Sequence, residues 1–327
     1  MTLMCRICGN VEGNIPYHVR EMMFGTREVF DYFQCKECGC LQIADIPTDL
    51  ARHYPDDYFS FKKFSRSTQS PLRGFFDRHR VLDGLGQTNW IGRIGAFFAK
   101  PLNYVDWLKT TKLDLDAGIL DIGCGRGKLL LRMRLGGLKD CTGVDPFLQE
   151  TLRYNNGVTI HKTSLTEFAR IATQKYDLIM FHHSLEHMEN PGEMLKSAAR
   201  LLSNRGTIMI RIPVADCYAW EHYGVNWMPL DAPRHLYLLT PKSMQILTEQ
   251  AGLQIWRTEY DSTIQQFINS ELYCRDIPLN ASEKEKRIFS RAEIKEFKRQ
   301  AEQLNQQQRG DQAVFYLSLA GISPQVG

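Results

Sequence analysis

The chain has 327 residues, 43% hydrophobic and 24% charged, which excludes wholesale disorder, collagen-like sequence and a fibrous coil. Forty Lys and Arg stand against 37 Asp and Glu, an excess too small to call for a nucleic-acid partner by itself. No apolar run in the sequence approaches the roughly 20 residues of a membrane span. The start, Met1-Thr-Leu-Met-Cys-Arg, lacks the basic and long apolar regions of a secretory leader, so a cytoplasmic location is expected.

Five of the nine cysteines, Cys5, Cys8, Cys35, Cys38 and Cys40, lie in the first forty residues. In a cytoplasmic chain, metal ligation is considered before disulfides. Cys5-x-x-Cys8 and Cys35-x-x-Cys38 are each followed by glycine, and 26 residues separate the pairs. Two thiolates from each tight turn complete a tetrahedral site with no open position. Residues 1–45 therefore read as a zinc-ribbon-like β module holding structural Zn2+ on Cys5, Cys8, Cys35 and Cys38. Cys40 is a substitute ligand, and reduced cysteines without metal are the alternative. Cys124, Cys141, Cys217 and Cys274 show no pairing pattern and read as small apolar residues.

Residues 46–116 read as a helical linker or lid. Between Phe61 and Lys112 there are ten Lys/Arg and three Asp, interleaved with Phe75, Phe76, Trp90, Phe97, Phe98, Tyr104 and Trp107. Amphipathic helices with a solvated basic face give this pattern. An electropositive mouth for an anionic substrate, or a peripheral membrane contact through 61–112, gives it too.

From Ala117 to residue 327 the chain alternates strand and helix. Strands are expected at Gly118–Ile122, Cys141–Asp145, Val158–Ile160, Tyr176–Phe181, Thr207–Ile212 and Leu253–Trp256. Helices are expected at Lys128–Leu135 and Pro146–Tyr154. Another starts at Asn190-Pro191, with Glu193 completing a capping box, and one starts at Thr240-Pro241 and closes at Gly252. Two insertions, 213–239 and 261–310, interrupt the pattern. The second ends in a long polar helix with Ser282 and Glu285 as its capping box and an apolar stripe at Ile294, Phe297, Ala301 and Leu304. Ala313–Leu319 is a final strand, at an edge or antiparallel. This alternation predicts an α/β, doubly wound, Rossmann-like sheet.

Asp121-Ile-Gly123-Cys124-Gly125-Arg-Gly127 is a strand running into a Gly-rich turn that opens a helix. Asp145 lies 24 residues after Asp121, near the offset of a ribose-binding acid. These residues resemble the S-adenosylmethionine-binding motif of class I methyltransferases, whose last strand is antiparallel. The resemblance spans roughly Ala117 to Leu319. It implies S-adenosylmethionine as cofactor, held by Asp121, Gly123, Cys124, Gly125, Asp145, Pro146, Ser164, Leu165 and His182. More narrowly, the whole chain resembles methyltransferases found among bacterial sugar and surface-polysaccharide enzymes, in which a Cys-x-x-Cys head precedes the domain. His182-His-Ser-Leu-Glu-His187, Pro233-Arg-His235 and Arg309-Gly-Asp-Gln carry that likeness, and a sugar or glycan acceptor follows from it.

A sugar hydroxyl is a poor nucleophile until it loses its proton, and a histidine poised near neutrality is the natural base. His183, His187 and His235 fall where such folds bind ligands. In one reading His187 or His235 is a general base. In another, His183, Glu186, His187 and His235 hold a second divalent metal, as the similar motif of small-RNA end methyltransferases does. In a third, Glu186 and His187 cap the turn. Tyr218, Trp220, Tyr223, Trp227 and Tyr237 read either as a sugar-stacking wall or as core packing. Sugar C-methylation, RNA methylation and a non-catalytic zinc-dependent scaffold complete the alternatives.

Overall fold

A computed structural model of the chain describes residues 3–54, 71–86, 92, 102–286 and 288–323. Lys62, Lys63, Arg66, Arg93 and Lys100 of the basic stretch lie outside the described residues, as do Trp90, Phe97 and Phe98. The membrane contact expected of 61–112 thus falls partly outside them. Among the described residues no helix is long and apolar enough to cross a membrane.

The strands are β1 (Ile15–Arg20), β2 (Val29–Gln34), β3 (Leu41–Ile43), β4 (Gly118–Ile122), β5 (Asp140–Val144), β6 (Leu152–Arg153), β7 (Thr159–His161), β8 (Tyr176–His182), β9 (Leu202–Pro213), β10 (Tyr237–Leu238), β11 (Leu253–Tyr260) and β12 (Gln312–Leu319). The helices are α1 (Pro71–Gly84), α2 (Asn103–Thr110), α3 (Lys128–Leu135), α4 (Leu165–Ile171), α5 (Pro191–Leu201), α6 (Tyr218–Tyr223), α7 (Pro241–Gln250), α8 (Gln265–Cys274), α9 (Glu283–Lys286) and α10 (Arg291–Gln306).

The large sheet runs β11-β12-β9-β8-β4-β5-β7-β6. β9, β8, β4, β5 and β7 are mutually parallel. β12 lies between β9 and β11, antiparallel to both. Successive side chains point to opposite faces, and both faces are apolar because helices cover both. Leu120, Ile179, Phe181, Ile208 and Ile210 pack with Leu195 and Leu201 of α5 and Met244 and Leu247 of α7. Ile119, Leu178, Met180 and Met209 pack on the other face with Val81 of α1, Trp107 and Leu108 of α2 and Leu130 of α3.

Three local expectations are corrected. Pro146–Tyr154 is not a helix. Asn155-Asn-Gly157 turns the chain into a hairpin, so β6 pairs antiparallel with β7, and Asn-Gly between two short strands is the signal for it. Asn190 makes no side-chain cap on α5, and Glu193 pairs with Lys196 instead. Ser282 and Glu285 cap the short α9, whereas Ser290 and Glu293 cap the long α10.

The N-terminal segment builds a second, antiparallel sheet of order β1-β2-β3-β10. Its last strand comes from the 213–239 insertion, Tyr237 opposite Gln42 and Leu238 opposite Leu41. The insertion's aromatic residues make that union. Trp220, Tyr223, Trp227 and Tyr237 are buried, and Trp220 packs edge-on against Tyr17 of β1. Core packing is what they do.

Candidate active site

Cys5, Cys8, Cys35 and Cys38 bring one sulfur each within 4.8 Å of one another. The Cys5–Cys38 and Cys8–Cys35 sulfurs are 3.6 and 3.5 Å apart, near the ~3.8 Å edge that a tetrahedron with ~2.3 Å Zn–S bonds requires. Each pair turns on a glycine, with Gly9 N–H donating to the Cys5 carbonyl and Gly39 N–H to that of Cys35. Both glycines have positive φ, 78° and 72°, which disfavours any side chain there. Gln42 Nε2 donates to the Cys5 sulfur and the Cys38 N–H to that of Cys35, the outer contacts thiolate ligands commonly have. The cluster could hold zinc. Cys40 is not part of it; its buried thiol meets the Leu41 carbonyl.

A cavity of about 660 Å3 opens at the carboxyl ends of β4 and β8. Asp121, Gly123 and Cys124 line it, with Tyr104 and Trp107 of α2. Gly123 sits at φ 69°, and a Cβ there would stand 2.7 Å from the Ser184 Cβ, so the backbone passes close to the site. Burial, with the Asp145 charge nearby, pushes Asp121 up to about 8. Asp145 accepts from the N–H groups of Gly125 (2.7 Å) and Phe147 (2.9 Å), one on each oxygen. Each oxygen keeps a second lone pair, as a ribose diol would need. Burial raises the Asp145 pKa against those two bonds.

Gly125, Asp145, Pro146, Ser164 and Leu165 are not among the residues that line the cavity. Ser164 is engaged as the N-cap of α4. Beside Asp145, the ring of Phe147 is 74% exposed and stacks with Tyr54 at 6.5 Å. His182 lines the cavity against Trp107, and burial pulls it down to about 3, keeping it neutral.

His183, His187 and His235 line the same cavity, and Glu186 lies beneath them. Glu186, His187 and His235 offer ligand atoms within 4.8 Å of one another. The His187 and His235 rings are 4.6 Å apart. His187 Nδ1 is 2.9 Å from the Arg234 carbonyl, and His235 Nδ1 is 2.6 Å from that of Pro229. A carbonyl only accepts, so each Nδ1 carries a proton, and in the neutral ring the lone pair falls on Nε2. Burial lowers the His187 pKa, which keeps it neutral.

Glu186 is fully buried and neither carboxylate oxygen has a hydrogen-bond partner among the described residues. Burial alone would raise its pKa, but His183, His187 and His235 outweigh burial and hold it down at about 2. His183 Nδ1 faces it at 3.5 Å. The other nitrogen of His183 accepts from Arg211, which Asp261 anchors at 2.6 Å. His183 also has φ 54°, a conformation costly for a side-chain-bearing residue and characteristic of functional sites.

The 213–239 segment reaches the cluster through Arg234. Its guanidinium is fully buried and pairs with Glu21 (2.8 Å) from the N-terminal sheet and Asp231 (2.6 Å). Tyr32 of β2 donates to the His235 carbonyl, and Met23 lines the cavity. The cysteine module thus forms part of the cavity wall. Tyr54, Arg211, Arg234 and Gln266 were not singled out from the sequence, because their partners lie far along the chain or in the fold alone.

A Gly-rich loop follows a buried parallel strand here, with an acid at the tip of the next strand and an antiparallel strand beside β9. This is the fold of class I methyltransferases. Residues 98–258 match the family described as "Methyltransferase domain", and the protein is an S-adenosylmethionine-dependent methyltransferase. It is 26% identical over 184 residues to a ubiquinone biosynthesis O-methyltransferase of Pseudomonas savastanoi pv. phaseolicola, covering 51% of this chain and 78% of that one. It is 28% identical over 184 residues to the enzyme of that name from Saccharophagus degradans, covering 51% and 77%. Among solved structures, a SAM-dependent methyltransferase from Archaeoglobus fulgidus aligns with TM-score 0.41 and 19% identity, covering 66% of this chain and 89% of that chain.

Proposed function

We propose that the enzyme methylates a hydroxyl oxygen of a sugar, carried as a nucleotide conjugate or within a glycan, with His187 or His235 taking the hydroxyl proton. The carrying observation is the pair of imidazoles whose Nδ1–H groups are spent on backbone carbonyls, beside a buried carboxylate. S-adenosylmethionine supplies a methyl on a sulfonium, so a C–O bond forms as the C–S bond breaks and its electron pair stays on sulfur. The hydroxyl proton goes to a free Nε2, and the Glu186 carboxylate stabilises the imidazolium so formed. Asp121 and Asp145 hold the cofactor's polar groups, and the wall of Tyr104 and Trp107 excludes water. Oxygen as the methylated atom draws support from the relatives' names. A polyhydroxylated acceptor draws support from the polar residues Thr263, Gln265, Gln266, Asp311 and Gln312 on the cavity wall.

His187→Ala and His235→Ala test this. Methyl transfer should fall by about 10²–10⁴-fold in at least one variant, with S-adenosylhomocysteine affinity retained by calorimetry. Full activity in both refutes the proton-transfer role.

A second reading is favoured by the buried Glu186 carboxylate, whose oxygens make no hydrogen bond among the described residues and meet the His183 ring only at 3.5 Å. A buried anion whose oxygens lack hydrogen bonds is incompletely compensated by nearby imidazoles, and a divalent cation held by Glu186, His187 and His235 would complete that compensation. Imidazole and carboxylate donors suit a transition ion. Co2+ titration monitored by visible absorption decides it: d–d bands that vanish in Glu186→Gln support the metal, and unchanged spectra remove it. The cysteine module, on the same footing, holds structural zinc.

A further inference from the structure

Gln266, at the second position of α8, is 2% exposed and lines the cavity. Its Nε2 donates to the Thr263 carbonyl at 3.3 Å, which fixes the amide, since the oxygen could not face a carbonyl. Its Oε1 is buried and has no hydrogen-bond partner among the described residues. Leaving a buried acceptor unmade is unfavourable, and buried polar atoms in native proteins are satisfied as a rule. Because Gln266 lines the cavity, a ligand that draws its amide toward the cavity would complete that acceptor.

Asp311 stands on the same wall, 5% exposed. Trp227 Nε1–H donates to its Oδ2 at 3.2 Å. The two residues are set by one junction. Ser262, just before Thr263, accepts from the N–H of Gln312, just after Asp311. Asn305 at the end of α10 clasps the Ser262 backbone through both its N–H and its carbonyl. The start of α8 and the start of β12 are thus tied together, which places both acceptors on one junction before anything binds.

We infer that Gln266 and Asp311 form a hydroxyl-binding subsite that selects the methyl acceptor, the open amide oxygen and the carboxylate each taking an O–H of a saccharide ring beyond the one methylated. The inference rests on the proposed hydroxyl methylation and adds the residues that choose the substrate. Two acceptors reward a ligand that brings donors. An arene with a long apolar tail leaves them unmet, and a site built to receive an O–H rejects analogues that lack it.

The test uses full-length, zinc-loaded protein saturated with S-adenosylhomocysteine. Saturation-transfer NMR screens methyl glucoside, galactoside and mannoside, their nucleoside-diphosphate sugars, and 3,4-dihydroxybenzoate. The best sugar is then compared with its monodeoxy analogues in wild type, Gln266→Leu and Gln266→Glu. The glycoside and nucleotide arms separate a free or glycan-borne sugar from a nucleotide-borne one. The subsite predicts that Gln266→Leu weakens the sugar roughly 10- to 100-fold and that Gln266→Glu, which keeps an acceptor, restores most of it. One deoxy analogue should be weak on wild type yet lose nothing further in Gln266→Leu. Unchanged S-adenosylhomocysteine affinity shows that the variants are folded.

Equal sugar affinity in Gln266→Leu overturns the subsite. So does binding of S-adenosylhomocysteine with none of the sugars. Binding of the dihydroxybenzoate unaffected by Gln266→Leu, together with its methylation in a separate turnover assay with S-adenosylmethionine, overturns the subsite while hydroxyl methylation stands. Loss of the sugar-binding effect and of the His187 and His235 effects together overturns both.

Discussion

Arg234→Met leaves Glu21 and Asp231 buried without their shared cation. All three side chains are 5% exposed or less, and Arg234 also lies over the Phe24 ring. Methionine fills much of the volume, so the loss is electrostatic. Removing one partner of a buried pair costs about 3–5 kcal/mol, or roughly a 6–20 °C fall in melting temperature at ~2–4 °C per kcal/mol. The pH dependence carries the sign. In the native protein, burial raises the pKa of Glu21 and of Asp231, but backbone N–H bonds to Glu21 and the Arg234 charge overcome it, so both end lowered. Their stabilisation is present above the unfolded pKa near ~4 and lost as pH falls through the folded values.

In the variant, burial prevails and raises both, so each acid costs stability at neutral pH. That cost is relieved as pH falls through the raised values toward ~4. The gap between the proteins should be widest near pH 7–8 and narrow toward pH 5. Calorimetric scans of zinc-loaded protein across that range measure it. A fall below about 2 °C, or a gap that does not change with pH, refutes the account.

Asp145→Ala should weaken S-adenosylhomocysteine about 10- to 150-fold, the worth of a charge-assisted hydrogen bond; calorimetric affinity within about threefold of wild type would remove Asp145 from the ribose role. Asp121 sits at about 8, raised by burial and by Asp145, so it is mostly protonated at neutral pH, and the cationic cofactor favours its ionised form. S-adenosylmethionine affinity should therefore rise as pH goes from about 6.5 to 8.5, with proton release visible in buffers of different ionisation enthalpy; a flat profile contradicts this. Stripping zinc with a strong chelator should abolish methyl transfer along with the metal, because the β3–β10 pairing and the Glu21–Arg234 contact tie the cysteine module to His235. A metal-free protein with full activity would sever that link.

What could be read from the sequence is what chemistry confines to adjacent residues. The Asp121–Gly127 loop, the two Cys-x-x-Cys-Gly turns and the apolar β4 and β8 are each written in a few consecutive positions. The structure departs from the local pattern where two signals compete. Pro146–Tyr154 has helix-compatible residues, but the Asn-Asn-Gly turn after it and the open edge of β7 made a hairpin instead. Ser282 and Ser290 both start capping boxes, and only the packing of Ala301 and Phe297 under α8 tells which helix is the long one. Sequence could not reveal partners across the chain. Glu21 and Arg234 are 213 positions apart, and β10 is two residues long, too short for any periodicity. Yet those contacts set the His187 tautomer, because the carbonyl that binds its Nδ1–H belongs to Arg234. Histidines were visible as candidates from their place after β8; the proton position that makes them competent is a property of the joined sheets. Under the proposed proton transfer, burial of the cysteine module against the insertion is therefore part of the catalytic arrangement, and a metal-free head should show its effect first in kcat rather than in cofactor affinity.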